Sequence, residues 1–149
     1  MLCDTCKKLV VERCRFSDLK GTQGAAISAE TVNWGIYQNT TRYIVEIKES
    51  TFTSCEAEKG GALYLHDINA HIISSEFFGT TASDRGGGAV FECSYYNTDR
   101  LCDYLIEKST FSGNRAKEGG AIFWDFVKVM ERDNIFTNNL ATYGNDKAS

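Results

Sequence analysis

The sequence predicts an all-β chain wound as a parallel solenoid of about five coils. Three observations predict it: a motif that returns at fixed offsets, alternating apolar residues ahead of each copy, and paired glycines behind it. The fullest copy runs from Phe111 to Phe123 and reads Phe-x-x-Asn-x-Ala-x-x-Gly-Gly-Ala-Ile-aromatic. With its Phe as origin, the copies fall at Phe16, Phe52, Phe77, Phe111 and Phe136, spaced 36, 25, 34 and 25 residues apart. A unit near 25 residues suits one coil; the longer copies carry excursions that leave and return in register.

The strand ahead of each Phe is read from apolar residues two apart: Leu9/Val11, Val45/Ile47, Ala70/Ile72 and Tyr104/Ile106, so the repeats start near residues 9, 45, 70, 104 and 129. Val129/Glu131 breaks that pattern in the last copy. Two residues before the Phe sit Cys14, Ser50, Ser75, Ser109 and Asn134, all small. Five residues after it sit Gly21, Ala57, Ala82, Ala116 and Ala141, marking a tight wall or a narrow interior. In a parallel solenoid equivalent residues stack about 4.8 Å apart, so the Phe residues are expected to form a ladder of offset rings. Asn114 and Asn139 suit either an inward amide ladder or a plain turn. Glycine supplies positive φ at a corner: Gly24, Gly60, Gly119 and Gly144, with an extra pair, Asp84-Arg85, delaying it to Gly87 in the third copy. Ile27, Leu63, Val90 and Ile122 are expected to point inward.

Phe-x-x-Asn followed by Gly-Gly-Ala-(Ile/Leu/Val) resembles the repeat of the polymorphic outer membrane protein family of chlamydiae. It is also similar to pectin-lyase-like repeat regions in surface proteins of ciliates and other protists. The resemblance spans most of the chain, from about Leu9 to Asp146, although Cys55 and Thr80 stand where the family places Asn. It implies a right-handed parallel β-helix in a surface-exposed, adhesive or structural protein. A β-helix hosts lyases, adhesins and spikes alike, so fold alone does not carry function.

At 149 residues the chain is read as one β-helix segment with insertions at 29–41 and 94–101. Neither end reads as the polar cap that a solenoid needs, so a fragment of a longer solenoid is expected, with flanking coils or other copies of a larger assembly against its ends. The net charge is −4 and no basic run exceeds Lys7-Lys8, which argues against a nucleic-acid partner. No apolar run approaches the roughly 20 residues of a membrane span, and no signal-peptide core lies near Met1. Proline is absent, which suits an uninterrupted hydrogen-bonded ladder.

Candidate site residues lie mostly in the insertions. Asn39-Thr40-Thr41 is an N-glycosylation sequon beside Trp34 and Tyr37. Cys93 and Cys102 bracket the second excursion and are candidates for a disulfide pinning its base, which would indicate an oxidising compartment. Tyr95, Tyr96 and Arg100 within it, with Trp34, are the candidate contacts for a surface glycan or protein. Cys14 and Cys55 read as small core residues. Cys3-x-x-Cys6 supplies at most half of a zinc site, and His66 and His71 belong to another coil. His66 and Asp67 are strand neighbours expected to point to opposite faces, a poor base-and-carboxylate pair. No cofactor or metal is expected.

Three functions compete. A non-catalytic structural or adhesive segment of an extracellular or cell-surface β-helix fits the repeat, the sequon and the Cys pair. An intracellular scaffold subunit would be favoured by six free thiols and an unmodified Asn39. A carbohydrate-active lyase or hydrolase would need clustered carboxylates, and a resemblance to polygalacturonases would imply adjacent Asp pairs and a Gly-His-Gly, neither of which occurs. The expectation is the first, and not an enzyme.

Overall fold

The structure, a computed structural model, describes residues 2–4 (backbone), 8–30, 44–94 and 102–149. Twenty short strands among the described residues wind into a parallel β-helix of five four-walled coils. The first wall stacks Lys8–Glu12, Ile44–Lys48, Asn69–Ile73, Tyr104–Glu107 and Met130–Arg132. The second stacks Arg15–Ser17, Thr51–Thr53, Glu76–Phe78, Thr110–Ser112 and Ile135–Thr137. The third stacks Glu56–Lys59, Thr81–Arg85, Arg115–Glu118 and Leu140–Tyr143, with Lys20 and Gln23 bridging to it from the first coil. The fourth stacks Leu2–Asp4, Ile27–Glu30, Leu63–His66, Ala89–Glu92, Ile122–Asp125 and Lys147–Ala148.

The second wall keeps its register without interruption: Phe16, Phe52, Phe77, Phe111 and Phe136 are direct neighbours. Their rings stack within 11° of parallel at centroid distances of 4.5–5.3 Å. Phe52, Phe77 and Phe111 are fully buried. Burying each ring is worth about 1.5–3 kcal/mol, and the stacking adds roughly 0.5–1.5 kcal/mol per pair. The small residues before each Phe have a hydrogen-bonding role. Cys14 N donates to Ser50 Oγ, Ser50 N to Ser75 Oγ, Ser75 N to Ser109 Oγ and Ser109 N to Asn134 Oδ1, at 2.9–3.2 Å. These side-chain acceptors satisfy N–H groups that the corner takes out of the sheet ladder.

Three corners of each coil adopt left-handed φ. At the first corner the residues are not glycine: Arg13, Glu49, Ser74, Lys108 and Asp133, with φ of 48–52°. At the corner between the third and fourth walls they are all glycine: Gly24, Gly60, Gly86, Gly119 and Gly144. The difference is steric. A Cβ on Gly60 would lie 1.9 Å from the carbonyl oxygen of Leu63, and one on Gly119 2.2 Å from that of Ile122. After the second wall comes a buried polar column. Thr80 N and Oγ1 donate to Asn114 Oδ1 (2.9 and 2.7 Å), and Asn114 N and Nδ2 donate to Asn139 Oδ1 (3.0 Å each). Asn114 and Asn139 therefore form an inward ladder that bonds across neighbouring coils.

Three readings of the sequence need correction. The third coil gains one residue, not two, as a bulge between Ala82 and Arg85, so Gly86 takes the corner. Ala89, not Val90, then pairs with Leu63 and Ile122 and faces the core. Val90 lies on the opposite face in a second buried column with Tyr64, Phe123 and Ala148. Cys55 is buried as expected, and burial pushes its thiol pKa up. Cys14 is a third correction: it is exposed rather than in the core, because the first-coil strands on either side of it are the edges of their walls, and its thiol donates to the Glu12 carbonyl at 3.3 Å.

Candidate functional site

Both long excursions leave the same edge of the helix, the corner between the fourth and first walls. The first coil departs after Glu30 and re-enters at Ile44; the third departs after Ser94 and re-enters by Cys102 and Asp103. Ala29 and Glu30 are still strand, paired with Leu65 and His66, so the first excursion begins later than residue 29. Glu30, His66 and Glu92 are consecutive rungs of one outward column, which sets the two roots about 10 Å apart. Trp34, Tyr37, Asn39, Tyr95, Tyr96 and Arg100 lie outside the described residues, so only the roots of their loops are placed.

The second root is tied in three ways. Cys93 and Cys102 are joined by a disulfide, with Cα atoms 6.1 Å apart. Ser94 donates twice to the Asp67 carboxylate of the coil before it, from N to Oδ1 and from Oγ to Oδ2, both at 2.6 Å. Asp103 N donates to Asn69 Oδ1 at 2.8 Å, and His71 Nε2 lies 3.6 Å from the Asp103 carboxylate. Asp67 has left the strand with φ of 54°, so strand alternation no longer governs it. It turns back toward His66, whose Nε2 lies 3.6 Å from Asp67 Oδ2 and 3.2 Å from Ser94 Oγ. The expectation that His66 and Asp67 diverge is thus overturned by that turn.

Serine, histidine and carboxylate meet here, but the order of hydrogen bonds differs from that of an activated nucleophile. The Ser94 hydroxyl gives its one proton to Asp67, so His66 Nε2–H is the donor to Ser94 Oγ. His66 Nδ1 lies 3.9 Å from Glu30 Oε2, beyond hydrogen-bond reach. A nucleophile needs the reverse flow, hydroxyl proton to imidazole and imidazole proton to carboxylate. Asp67 also shares a neighbourhood with the two sulfurs, the three ligand atoms lying within 4.8 Å of one another. With the sulfurs spent on each other and the carboxylate accepting from Ser94, the closed bridge leaves no thiolate to coordinate a metal.

Beside this root two tyrosines are held protonated. Tyr64 donates to Glu92 Oε2 at 2.5 Å, and Lys59 Nζ lies 3.3 Å from the other oxygen of that carboxylate. Burial, then the hydrogen bond to Glu92, pushes the Tyr64 pKa well up. Tyr104 donates to the Glu92 carbonyl at 2.8 Å; burial, then the charges of Asp67 and Glu92, raise its pKa too. None of these partnerships was visible in the sequence, because the partners lie 27 to 34 residues apart, or 12 for Tyr104 and Glu92. Only the coil register, once fixed, brings Tyr64 beside Val90 and His66 beside Glu92.

The fifth coil differs from the rest on its outer face. Met130, Ile135, Leu140 and Tyr143 are 50–62% exposed there. One coil earlier the same register positions hold Leu105, Thr110, Arg115 and Glu118.

Residues 108–123 match the Chlamydia polymorphic membrane protein repeat. The matched stretch carries the second-wall Phe111, the buried Asn114 and the Gly119-Gly120 corner, so what is similar is one coil's scaffold. No curated protein and no solved structure matches the chain. Among the described residues no helix is long and apolar enough to cross a membrane. The repeat match, together with the parallel coils, points to a β-helix protein of the surface or outer-membrane type.

Proposed function

We propose that this chain is a non-catalytic, adhesive or structural segment of a cell-surface β-helix, and that its working edge is the corner between the fourth and first walls. The observation that carries this reading is the common origin of both excursions, two rungs apart, with one root closed by a disulfide. A rigid scaffold that gathers its variable loops on one edge is a binding architecture. The loops carry aromatic residues, two arginines and a sequon, a composition suited to a glycan or protein surface. The hydrogen-bond order around Ser94 supports positioning rather than acid–base chemistry.

The test replaces residues 31–43 and 95–101, separately and together, with short Gly-Ser bridges. Binding is read on immobilised oligosaccharides and extracellular-matrix proteins. The expected result is loss of binding with an unchanged melting temperature; retained binding by the doubly bridged chain would sink the reading. The intracellular-scaffold alternative would need all six thiols free and Asn39 unmodified; Cys14 and Cys55 are free, but the Cys93–Cys102 bridge counts against it. Intact mass with and without reductant and glycosidase separates the two, since a scaffold would show no glycan on Asn39 and no mass change on reduction.

A further inference from the structure

The fifth coil departs from the repeat on the inside as well. Glu131 stands where the register places Val11, Ile47, Ile72 and Ile106. Lys147 stands in the column of Ile27, Leu63, Ala89 and Ile122. The corner tetrapeptide, Gly119-Gly120-Ala121-Ile122 one coil earlier, has become Gly144-Asn145-Asp146-Lys147. Each of its three changed residues supplies a contact that a further coil would otherwise make.

Lys147 takes two such contacts. Its Nζ lies 4.7 Å from the centre of the Phe136 ring, the separation at which the other rings stack on each other. The same ammonium lies 3.2 and 3.3 Å from the two oxygens of Glu131, so the charges that replace core aliphatics neutralise one another. Asp146 continues the buried polar column: Asn114 Nδ2 donates to Asn139 Oδ1, and Asn139 Nδ2 donates to Asp146 Oδ1, each at 3.0 Å. Asn145 Oδ1 accepts from Ala141 N at 3.0 Å.

Asn145 also brings a Cβ to a position where the inner coils have none. A Cβ on Gly61 would lie 2.1 Å from the carbonyl of Gly87, and one on Gly87 2.1 Å from that of Gly120, each in the following coil. Close stacking in register therefore requires glycine there. In the first coil Ala25 holds this position. The ladder there runs from Gly24 N to Lys59 O and then from Ala26 N to Ala62 O, skipping the bond that Gly61 and Gly87 make.

We propose that Glu131, Asn145, Asp146 and Lys147 form a side-chain cap on the fifth coil that shuts this edge of the ladder to pairing by a second copy of the chain. The cap substitutes for ring stacking, for the asparagine ladder, for a backbone acceptor and for aliphatic burial. It also answers the edge liability, because inward charge at an open parallel edge discourages pairing by another strand.

The test uses the 149-residue chain. In its NMR spectrum the Lys147 ε-methylene protons should be shifted upfield by the Phe136 ring and should return to ordinary positions in Phe136→Leu. Asn145→Ala should speed exchange of the Ala141 amide by roughly tenfold while leaving the equivalent Ala116 amide unchanged. Restoring the repeat with Glu131→Ile, Asn145→Gly, Asp146→Ala and Lys147→Ile should open the end. That variant should sediment as concentration-dependent oligomers where the parent does not. Unshifted Lys147 protons, an indifferent Ala141 amide, or a restored variant that sediments like its parent would each overturn the cap. If the restored variant does not fold, the two single-site readouts decide.

Discussion

The second and fourth walls share one helix and are built on opposite rules. On the second wall every rung is the same, Phe on Phe with an acceptor behind it that is Ser in three coils. On the fourth, the inward column changes from Ile to Leu to Ala to Ile to Lys, and the outward column from Ser to Tyr to Val to Phe to Ala. The uniform wall sets the register. The variable wall spends that register, since both excursions, the disulfide and the two protonated tyrosines sit on or beside it. A repeat protein can vary one side freely only while another side holds the spacing.

That contrast is open to direct attack. The largest effect is expected from Phe111→Ala, which empties the middle of the uniform wall and should cost about 3–5 kcal/mol, read by chemical denaturation. Phe136→Ala, at the partly exposed end of the same stack, should cost distinctly less; equal losses would mean that the ladder is not a cooperative unit. Next comes Asn114→Ala, which leaves the Thr80 amide and hydroxyl without their acceptor and should cost about 1–3 kcal/mol. On the variable wall, Cys93→Ser with Cys102→Ser should lower stability by about 2 kcal/mol, because the bridge closes a short loop. The same pair of changes should leave amide exchange in the second wall untouched.

The smallest effect concerns pH. Tyr64 and Tyr104 have folded pKa values raised above the ordinary tyrosine value of about 10, chiefly by burial. The stability they support is whole below that value and falls as pH rises past it, because the unfolded chain ionises first. The 295 nm absorbance of these two of the seven tyrosines should therefore appear with alkaline unfolding rather than before it. Tyr64→Phe should remove part of that coupling. If all seven titrate near pH 10 with the fold intact, the two rings are not buried as described.

Much of the scaffold was legible because it repeats. The Phe spacing, the small residues and the glycines each occur often enough to be aligned by eye, and apart from the third coil's corner glycine they fall on shared rungs. The third coil misled because Gly86, Gly87 and Gly88 are consecutive. A Gly-Gly-Ala can be read one residue late there, and nothing in composition marks the bulge at Ala82–Arg85. The candidate site was far less legible. Its cysteine pair stands out, but Asp67 with Ser94, Tyr64 with Glu92 and Asn69 with Asp103 become neighbours only through the winding. Glu131 was visible as a break in the apolar pattern, yet its meaning depended on Lys147, which reaches it from the far side of the same coil.

The ladder bonds that join coil to coil run along the helix axis, and this gives the molecule a direction in mechanics. A load applied along that axis stretches each rung's bonds in turn, so the coils should peel one after another, with a force step for each. A load applied across the axis loads many bonds in shear together and should meet much greater resistance. Contour released per step would be set by coil length, short for the coil holding Phe52 and longer for the coil whose excursion the Cys93–Cys102 bridge shortens only when oxidised. A β-helix of this build should thus lengthen by increments under tension, with one increment set by the redox state of a single bond.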